Sequence, residues 1–268
     1  LFAGFPVVYA SLFSGMYIPF MLFLLFLIFR AISIEFRSKE EMKWWRTMWD
    51  ISYSVASTAL SVLLGVVLGN VLIGIEIGPQ GNFQGHWLEF LNPYALLVGV
   101  TTLALFSTHG ALYLLMKTEG RLYAKLSILA RRAIIFFIVT FSLVTLYTLI
   151  YIPHLTDRFK DLPWLFVVPV LAFLSIANIP RLISKRRFRD GFIFSAITMS
   201  LLLIVVAIEL YPVMLLSTVD EAYNITIYNA AASEKSLGIM LTIAAIGTPL
   251  VLAYTAFVFW TFRGKVEL

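Results

Sequence analysis

Seventeen of the twenty Lys and Arg residues fall in three short segments and the C-terminal tail, and the chain between those clusters is almost free of charge. The first cluster holds Arg30, Arg37, Lys39, Lys43 and Arg46. The second holds Lys117, Arg121, Lys125, Arg131 and Arg132. The third holds Arg181, Lys185, Arg186, Arg187 and Arg189, and the tail adds Arg263 and Lys265. Apolar runs separated by basic clusters at every second connection are the pattern of a polytopic membrane protein. Connections kept on the cytoplasmic side carry the Lys/Arg excess.

A hydrocarbon core about 30 Å thick needs roughly 20 apolar residues per helix. Seven stretches meet that length: Tyr9–Ile32, Ile51–Ile73, Pro93–Met116, Ala133–Ile152, Trp164–Ile183, Phe192–Leu216 and Leu237–Phe262. Leu1–Val8 reads as the end of an earlier helix. The expected fold is an all-α polytopic helix bundle, one transmembrane domain over residues 1–268. The other connections hold only Arg158, Lys160 and Lys235. The first span therefore runs inward and the C-terminus is cytoplasmic, as in a polytopic inner-membrane protein. The chain starts at Leu1, inside an apolar stretch and without a signal-peptide pattern, so the N-terminus is expected to be incomplete.

Composition agrees with a lipid solvent. Hydrophobic residues make up 60% of the chain and charged residues 13%, against about 45–50% and about 25% in soluble domains. The net charge of +5 lies beside apolar spans, which makes it an orientation signal and not a nucleic-acid footprint. There is no Cys, which excludes disulfides and thiolate-held metals or clusters. His86, His109 and His154 share no i, i+4 spacing, so no metal or haem site built by this chain alone is expected.

The outer segments Gly74–Leu91 and Val219–Ser236 read as irregular or interfacial. Trp44, Trp45 and Trp49 read as headgroup anchors. Pro19, Pro169 and Pro249 fall inside spans, and Ser52–Ser61 has the small residues of a helix–helix contact.

Ionisable groups in or beside spans cost about 2.5–3.5 kcal/mol at a helix centre, so each is a site candidate. Glu35 follows the first span, between Arg30 and Arg37. Two readings stand: a surface ion pair with those arginines, or a carboxyl at the mouth of a cytoplasmic proton path. His109, in Ser107-Thr108-His109-Gly110, is either a hydrogen-bonded packing histidine, a proton relay, a quinone contact, or an axial ligand that needs a partner from elsewhere. Glu209 near the outer end of the sixth span faces either the interface or a polar cavity. Asp50, after Trp49, reads as a helix N-cap. No Walker A loop, dinucleotide fingerprint or nucleophile elbow is present. The chain is then either a transporter-like or channel bundle with no redox role, or the partner of a subunit that does the chemistry.

Short motifs decide between these. Leu1-Phe2-Ala3-Gly4-Phe5-Pro6 leads to Tyr9-Ala10-Ser11-Leu12-Phe13-Ser14-Gly15. Phe29-Arg30, Glu35-Phe36-Arg37-Ser38-Lys39 and Trp45-Arg46-Thr47-Met48-Trp49-Asp50 follow. Gly69-Asn70, Leu91-Asn92-Pro93, Thr108-His109-Gly110-Ala111, Lys117-Thr118, Asn229-Ala230-Ala231-Ala232-Ser233 and Tyr254-Thr255-Ala256 continue the series. In this order they resemble subunit II of the cytochrome bd quinol oxidases, over the whole chain and most strongly over Leu1–Thr118.

The resemblance implies nine helices, of which the first two would be missing or incomplete here. It implies a non-haem subunit of a complex that oxidises quinol, reduces dioxygen to water and generates proton motive force. It implies haems b and d in a homologous subunit I, which this chain meets with pseudo-two-fold symmetry. Small accessory subunits, and a quinone or lipid lodged in this chain, are further expectations. Glu35 falls where the family carries an acidic residue of the cytoplasmic proton route, with Arg30 and Arg37 as supporting charges. His109 matches a position that accepts His or Gln, which argues against a ligand role. Taking protons from inside and releasing quinol protons outside stores about 2.3 kcal/mol per charge across 100 mV.

Overall fold

In lipid each backbone N–H and C=O must be bonded within the segment that carries it, and an apolar run meets that demand as a helix. A computed structural model describes residues 1–152 and 154–264; Lys265 of the basic tail lies outside the described residues. The α-helices are α1 (Pro6–Gly15), α2 (Tyr17–Arg37), α3 (Lys43–Ile73), α4 (Pro93–Lys117), α5 (Gly120–Tyr151), α6 (His154–Asp161), α7 (Val167–Ser184), α8 (Phe188–Leu210) and α9 (Glu234–Thr261). Seven of them, all but the short α1 and α6, are long and apolar enough to cross a membrane.

Several boundaries differ from the sequence expectation. The expected span Tyr9–Ile32 breaks at Met16 (φ −93°, ψ 30°), so α1 joins residues on both sides of Val8 and the spanning helix starts at Tyr17. Helix α3 starts at Lys43 instead of Ile51, and α5 at Gly120 instead of Ala133. Lys, Arg, Glu, Leu and Ala propagate helix as well as apolar residues do, so the basic segments are largely helical. Between α4 and α5 only Thr118 and Glu119 remain, and the chain turns there because Gly120 takes φ +67°. Helix α8 stops at Leu210, ahead of Tyr211-Pro212, and not at Leu216. Pro19 and Pro169 fall in first turns, where no helical N–H is lost; Pro180 and Pro249 are the prolines inside helices.

The helices alternate in direction. Nζ of Lys117 donates to the C=O of Phe262 at 2.7 Å, tying the ends of α4 and α9 at the basic end. At the opposite end the N–H of Ala232 donates to the C=O of Gly4 at 2.8 Å. There the two segments expected to be irregular interlock. Ile75 N–H donates to Leu216 C=O at 2.9 Å, and Ser217 Oγ to Ile77 C=O at 2.7 Å. Strand β1 (Val213–Leu215) pairs antiparallel with β2 (Ile225–Thr226). Met16, Ile77, Phe90 and Leu215 bury themselves beneath this cap.

Helices α3 and α4 meet backbone to backbone. A Cβ on Gly65 would lie 2.6 Å from Cα of Gly99, and one on Gly69 would lie 2.7 Å from Cα of Ala95. Small residues allow that approach, and dispersion over the contact replaces the hydrophobic drive that lipid cannot supply. The main core joins α4, α5, α7 and α8 around Leu112, Ile134, Phe137 and Ile179.

Candidate functional site

The basic end of the α2–α3 hairpin holds the first candidate. Glu35 is exposed in the last turn of α2. Of the two readings for Glu35, the ion pair with Arg30 and Arg37 is not seen among the described residues. Arg37 Nε donates to Asp50 Oδ1 at 2.6 Å and its Nη2 to Oδ2 at 3.3 Å, and Arg30 lies 5.7 Å over the ring of Tyr53. Among the described residues the Glu35 carboxylate has no hydrogen-bond or ion-pair partner. Asp50 was expected as an N-cap. Because α3 already begins at Lys43, Asp50 lies inside the helix and serves Arg37 instead.

The hairpin is closed by polar links from both helices. The indole N–H of Trp45 donates to the C=O of Phe36 at 2.7 Å. Ser33 Oγ donates to Ser52 Oγ at 3.0 Å, which is the contact expected from the small residues of Ser52–Ser61. Trp44 is exposed, as a headgroup anchor requires.

His109 sits well inside α4, half-buried. Its Nδ1 is 2.7 Å from Ser195 Oγ on α8, and its ring stacks on Phe192 with centroids 4.3 Å apart. Ser195 gives its single hydroxyl proton to the C=O of Phe192 at 2.7 Å. The network therefore assigns the proton of the neutral ring to Nδ1, which donates to Ser195, and leaves Nε2 as the ring's acceptor. The imidazole ties α4 to α8.

Glu209 lines a cavity of 810 Å³ between α3, α4, α5, α6, α7 and α8. The wall is mainly apolar, with Phe141, Val144, Phe173 and Val206. Tyr94 and Thr148 add hydroxyls 3.0 Å apart, and Thr145, Thr156 and Lys160 also line it. Glu209 thus faces a cavity, but a mainly apolar one and not the polar cavity of the sequence reading.

The three candidates do not form one site. Glu35 and His109 are on different helices. Fourteen residues of α8 separate Ser195, beside His109, from Glu209, about 21 Å along the axis. Sequence reasoning missed Asp50 as the partner of Arg37, Ser195 as the partner of His109, and the Tyr94–Thr148 pair. A Ser or Thr in an apolar span was the one available signal, and it does not say which helix it meets. Among the described residues no group of three or more His, Cys, Asp or Glu side chains is placed to hold a metal ion.

Comparison with known proteins adds a second line of observation. The family model for cytochrome bd terminal oxidase subunit II matches residues 1–262. Cytochrome bd-I ubiquinol oxidase subunit 2 of Escherichia coli (strain K12) is 27% identical over 298 residues, covering 99% of this chain and 78% of its own length. Cytochrome bd ubiquinol oxidase subunit 2 of Bacillus subtilis is 28% identical over 270 residues, covering 100% and 78%. In the structure of bd oxidase from Geobacillus thermodenitrificans, a chain aligns with TM-score 0.65 and 19% identity over 92% of this chain and 74% of that one. At that identity the likeness speaks for the fold.

Proposed function

The chain belongs to the cytochrome bd terminal oxidase subunit II family, and from that premise we propose that its basic end faces the cytoplasm and that Glu35 there receives protons bound for oxygen chemistry in a neighbouring subunit. Membership makes it a multi-pass membrane subunit of a quinol oxidase, alongside a subunit I in a haem-bearing complex. The transporter alternative gives way to this assignment.

The described residues of this chain do not fit a haem. His109 has its ring stacked on Phe192 and does not line the 810 Å³ cavity. The 810 Å³ cavity has no His, Met or Cys in its wall. Haems b and d belong, in this reading, to subunit I, which meets the present chain as a pseudo-symmetric partner. Quinol is oxidised and dioxygen reduced to water there. The present chain acts as one transmembrane domain that supplies part of the proton path, and both termini of α9 follow the orientation set by the basic clusters.

The observation that carries the proton role is the state of the Glu35 carboxylate. It is exposed at the basic end while the arginine beside it is occupied by Asp50. A carboxyl with neither a cation nor a donor on it is free to exchange protons with water and pass them on. His109, whose Nε2 is the ring's acceptor, is a relay candidate deeper in the bundle. Glu209 belongs to the opposite end and is a candidate for the exit side or for a quinone or lipid in the adjoining cavity.

The test is Glu35→Gln in the purified complex, followed by quinol-driven oxygen uptake and by the haem spectrum as a measure of assembly. Turnover falls about tenfold, equal to about 1.4 kcal/mol on the barrier, with the spectrum unchanged and Glu35→Asp restoring part of the rate. Full activity of an assembled Glu35→Gln complex removes Glu35 from the path.

A further inference from the structure

The α7–α8 hairpin carries a groove that neither the proton path nor the haem chemistry uses. At the basic end the two helices are joined by Lys185, Arg186 and Arg187, with Arg186 at φ +56°. Three backbone bonds close the turn: Lys185 N–H to Arg181 C=O at 3.1 Å, Arg186 N–H to Ile183 C=O at 3.1 Å, and Arg187 N–H to Leu182 C=O at 2.9 Å. The last carbonyls of α7 are thus already bonded by backbone, and the basic side chains are left to the surroundings. Arg181, Lys185, Arg186, Arg187 and Arg189 are all exposed. The carboxylate in their midst, Asp190, is bonded to Arg187 Nε at 2.5 Å.

Two hollows continue from this cluster. One, of 330 Å³, is walled by Asn178, Arg181, Lys185, Arg187 and Asp190 with apolar neighbours. The next, of 640 Å³, shares Asn178, Arg181 and Phe194 with it and runs on between Leu171, Leu174, Ile197 and Leu201. Together they make one groove with a cationic head and an apolar length. From Arg181 to Leu171 is ten residues, about 15 Å of helix. That is half of a hydrocarbon core about 30 Å thick, the depth reached by the acyl chains of one leaflet.

We propose that this groove between α7 and α8 binds an anionic glycerophospholipid, its phosphate on Arg181 and Lys185 and an acyl chain laid along Leu171, Leu174, Ile197 and Leu201. Basic pockets between membrane helices recognise such headgroups by charge. A zwitterionic headgroup brings an ammonium, and the one carboxylate at the head of the groove is already held by Arg187. A quinone brings a neutral head that leaves the cations without counter-charge.

The experiment titrates the purified oxidase complex, delipidated in neutral detergent, with phosphatidylglycerol or phosphatidylcholine, and counts retained lipid by native mass spectrometry. Phosphatidylglycerol is retained on this subunit and phosphatidylcholine is not. The double variant Arg181→Gln/Lys185→Gln weakens retention about tenfold or more, whereas Arg121→Gln/Lys125→Gln on α5 removes the same charge and leaves it unchanged. Ile197→Trp fills the apolar length with every cation intact and also abolishes retention, so the test survives if the double variant fails to assemble. Displacement of the lipid by millimolar inorganic phosphate, equal retention of phosphatidylcholine, or full retention in the Ile197→Trp complex overturns the proposal.

Discussion

Helices α3 and α9 are both long, apolar and glycine-bearing, yet they stand in opposite surroundings. On α3, Gly65 and Gly69 lie within van der Waals reach of the α4 backbone, and Ala56, Leu60, Val66 and Leu72 are buried. On α9, Gly238 and Gly247 have nothing within 4 Å of where a Cβ would stand, and no described residue of the helix is buried. Composition cannot tell the two apart, because lipid and protein interior are equally apolar. What separates them is side-chain volume set against a neighbour's backbone. A glycine reports close packing only when another helix is there to meet it.

Three substitutions test that contrast, in falling order of effect on the thermal unfolding of the purified complex. Gly65→Leu puts carbon where Thr102 Oγ1, Gly99 Cα and the Val98 C=O already lie within 2.5 to 2.7 Å. Two of those atoms are backbone and cannot swing away, so the loss exceeds about 3 kcal/mol, beyond ordinary overpacking, and assembly drops. A stable Gly65→Leu complex would show that α3 and α4 are further apart than described.

Asn70→Leu comes next. Nδ2 of Asn70 donates to the C=O of Val66 at 2.8 Å and of Phe90 at 2.9 Å, and its Oδ1 accepts from Asn92 at 2.9 Å. Losing them leaves a buried carbonyl unbonded and costs about 1–3 kcal/mol. The same change loosens Asn92, whose own side-chain oxygen caps α4 at Ala95 N–H. Gly247→Ala on α9 is the smallest. Alanine favours helix by up to about 1 kcal/mol, so the complex holds or gains slightly. A loss of stability there instead would reveal a second helix packed on that face, and the contrast with α3 would vanish.

The seven spans were legible because each apolar run is as long as the lipid is thick. Their ends were not. Charge density marks where water begins, not where a helix stops, so α5 passes through Arg121, Lys125, Arg131 and Arg132 without a break. The break at Met16 had its signal in Pro19, which cannot donate to the carbonyl of Gly15 four residues back, and the early stop of α8 had its signal in Pro212. For the site, Glu35 was legible as a carboxyl at a span's end. Its lack of a partner was not, because Arg37 chooses an acceptor thirteen positions away across a hairpin turn. His109 was legible as a polar ring inside an apolar span, but Ser195 stands 86 positions further on and only the packing of α4 on α8 brings them together. The cavity beside Glu209 is a property of six helices at once and had no local signature.

Helix α5 is 32 residues long, about 48 Å, while its apolar stretch from Ala133 onward matches the bilayer alone. Its opening turns, from Gly120 to Arg132, carry Arg121, Lys125, Arg131 and Arg132 on one side while Leu126 and Ala130 are buried in the main core, so the packed bundle continues for about 20 Å beyond the apolar stretch. Probes attached along these turns, such as spin labels or crosslinkers, would report the tilt of the embedded bundle from outside.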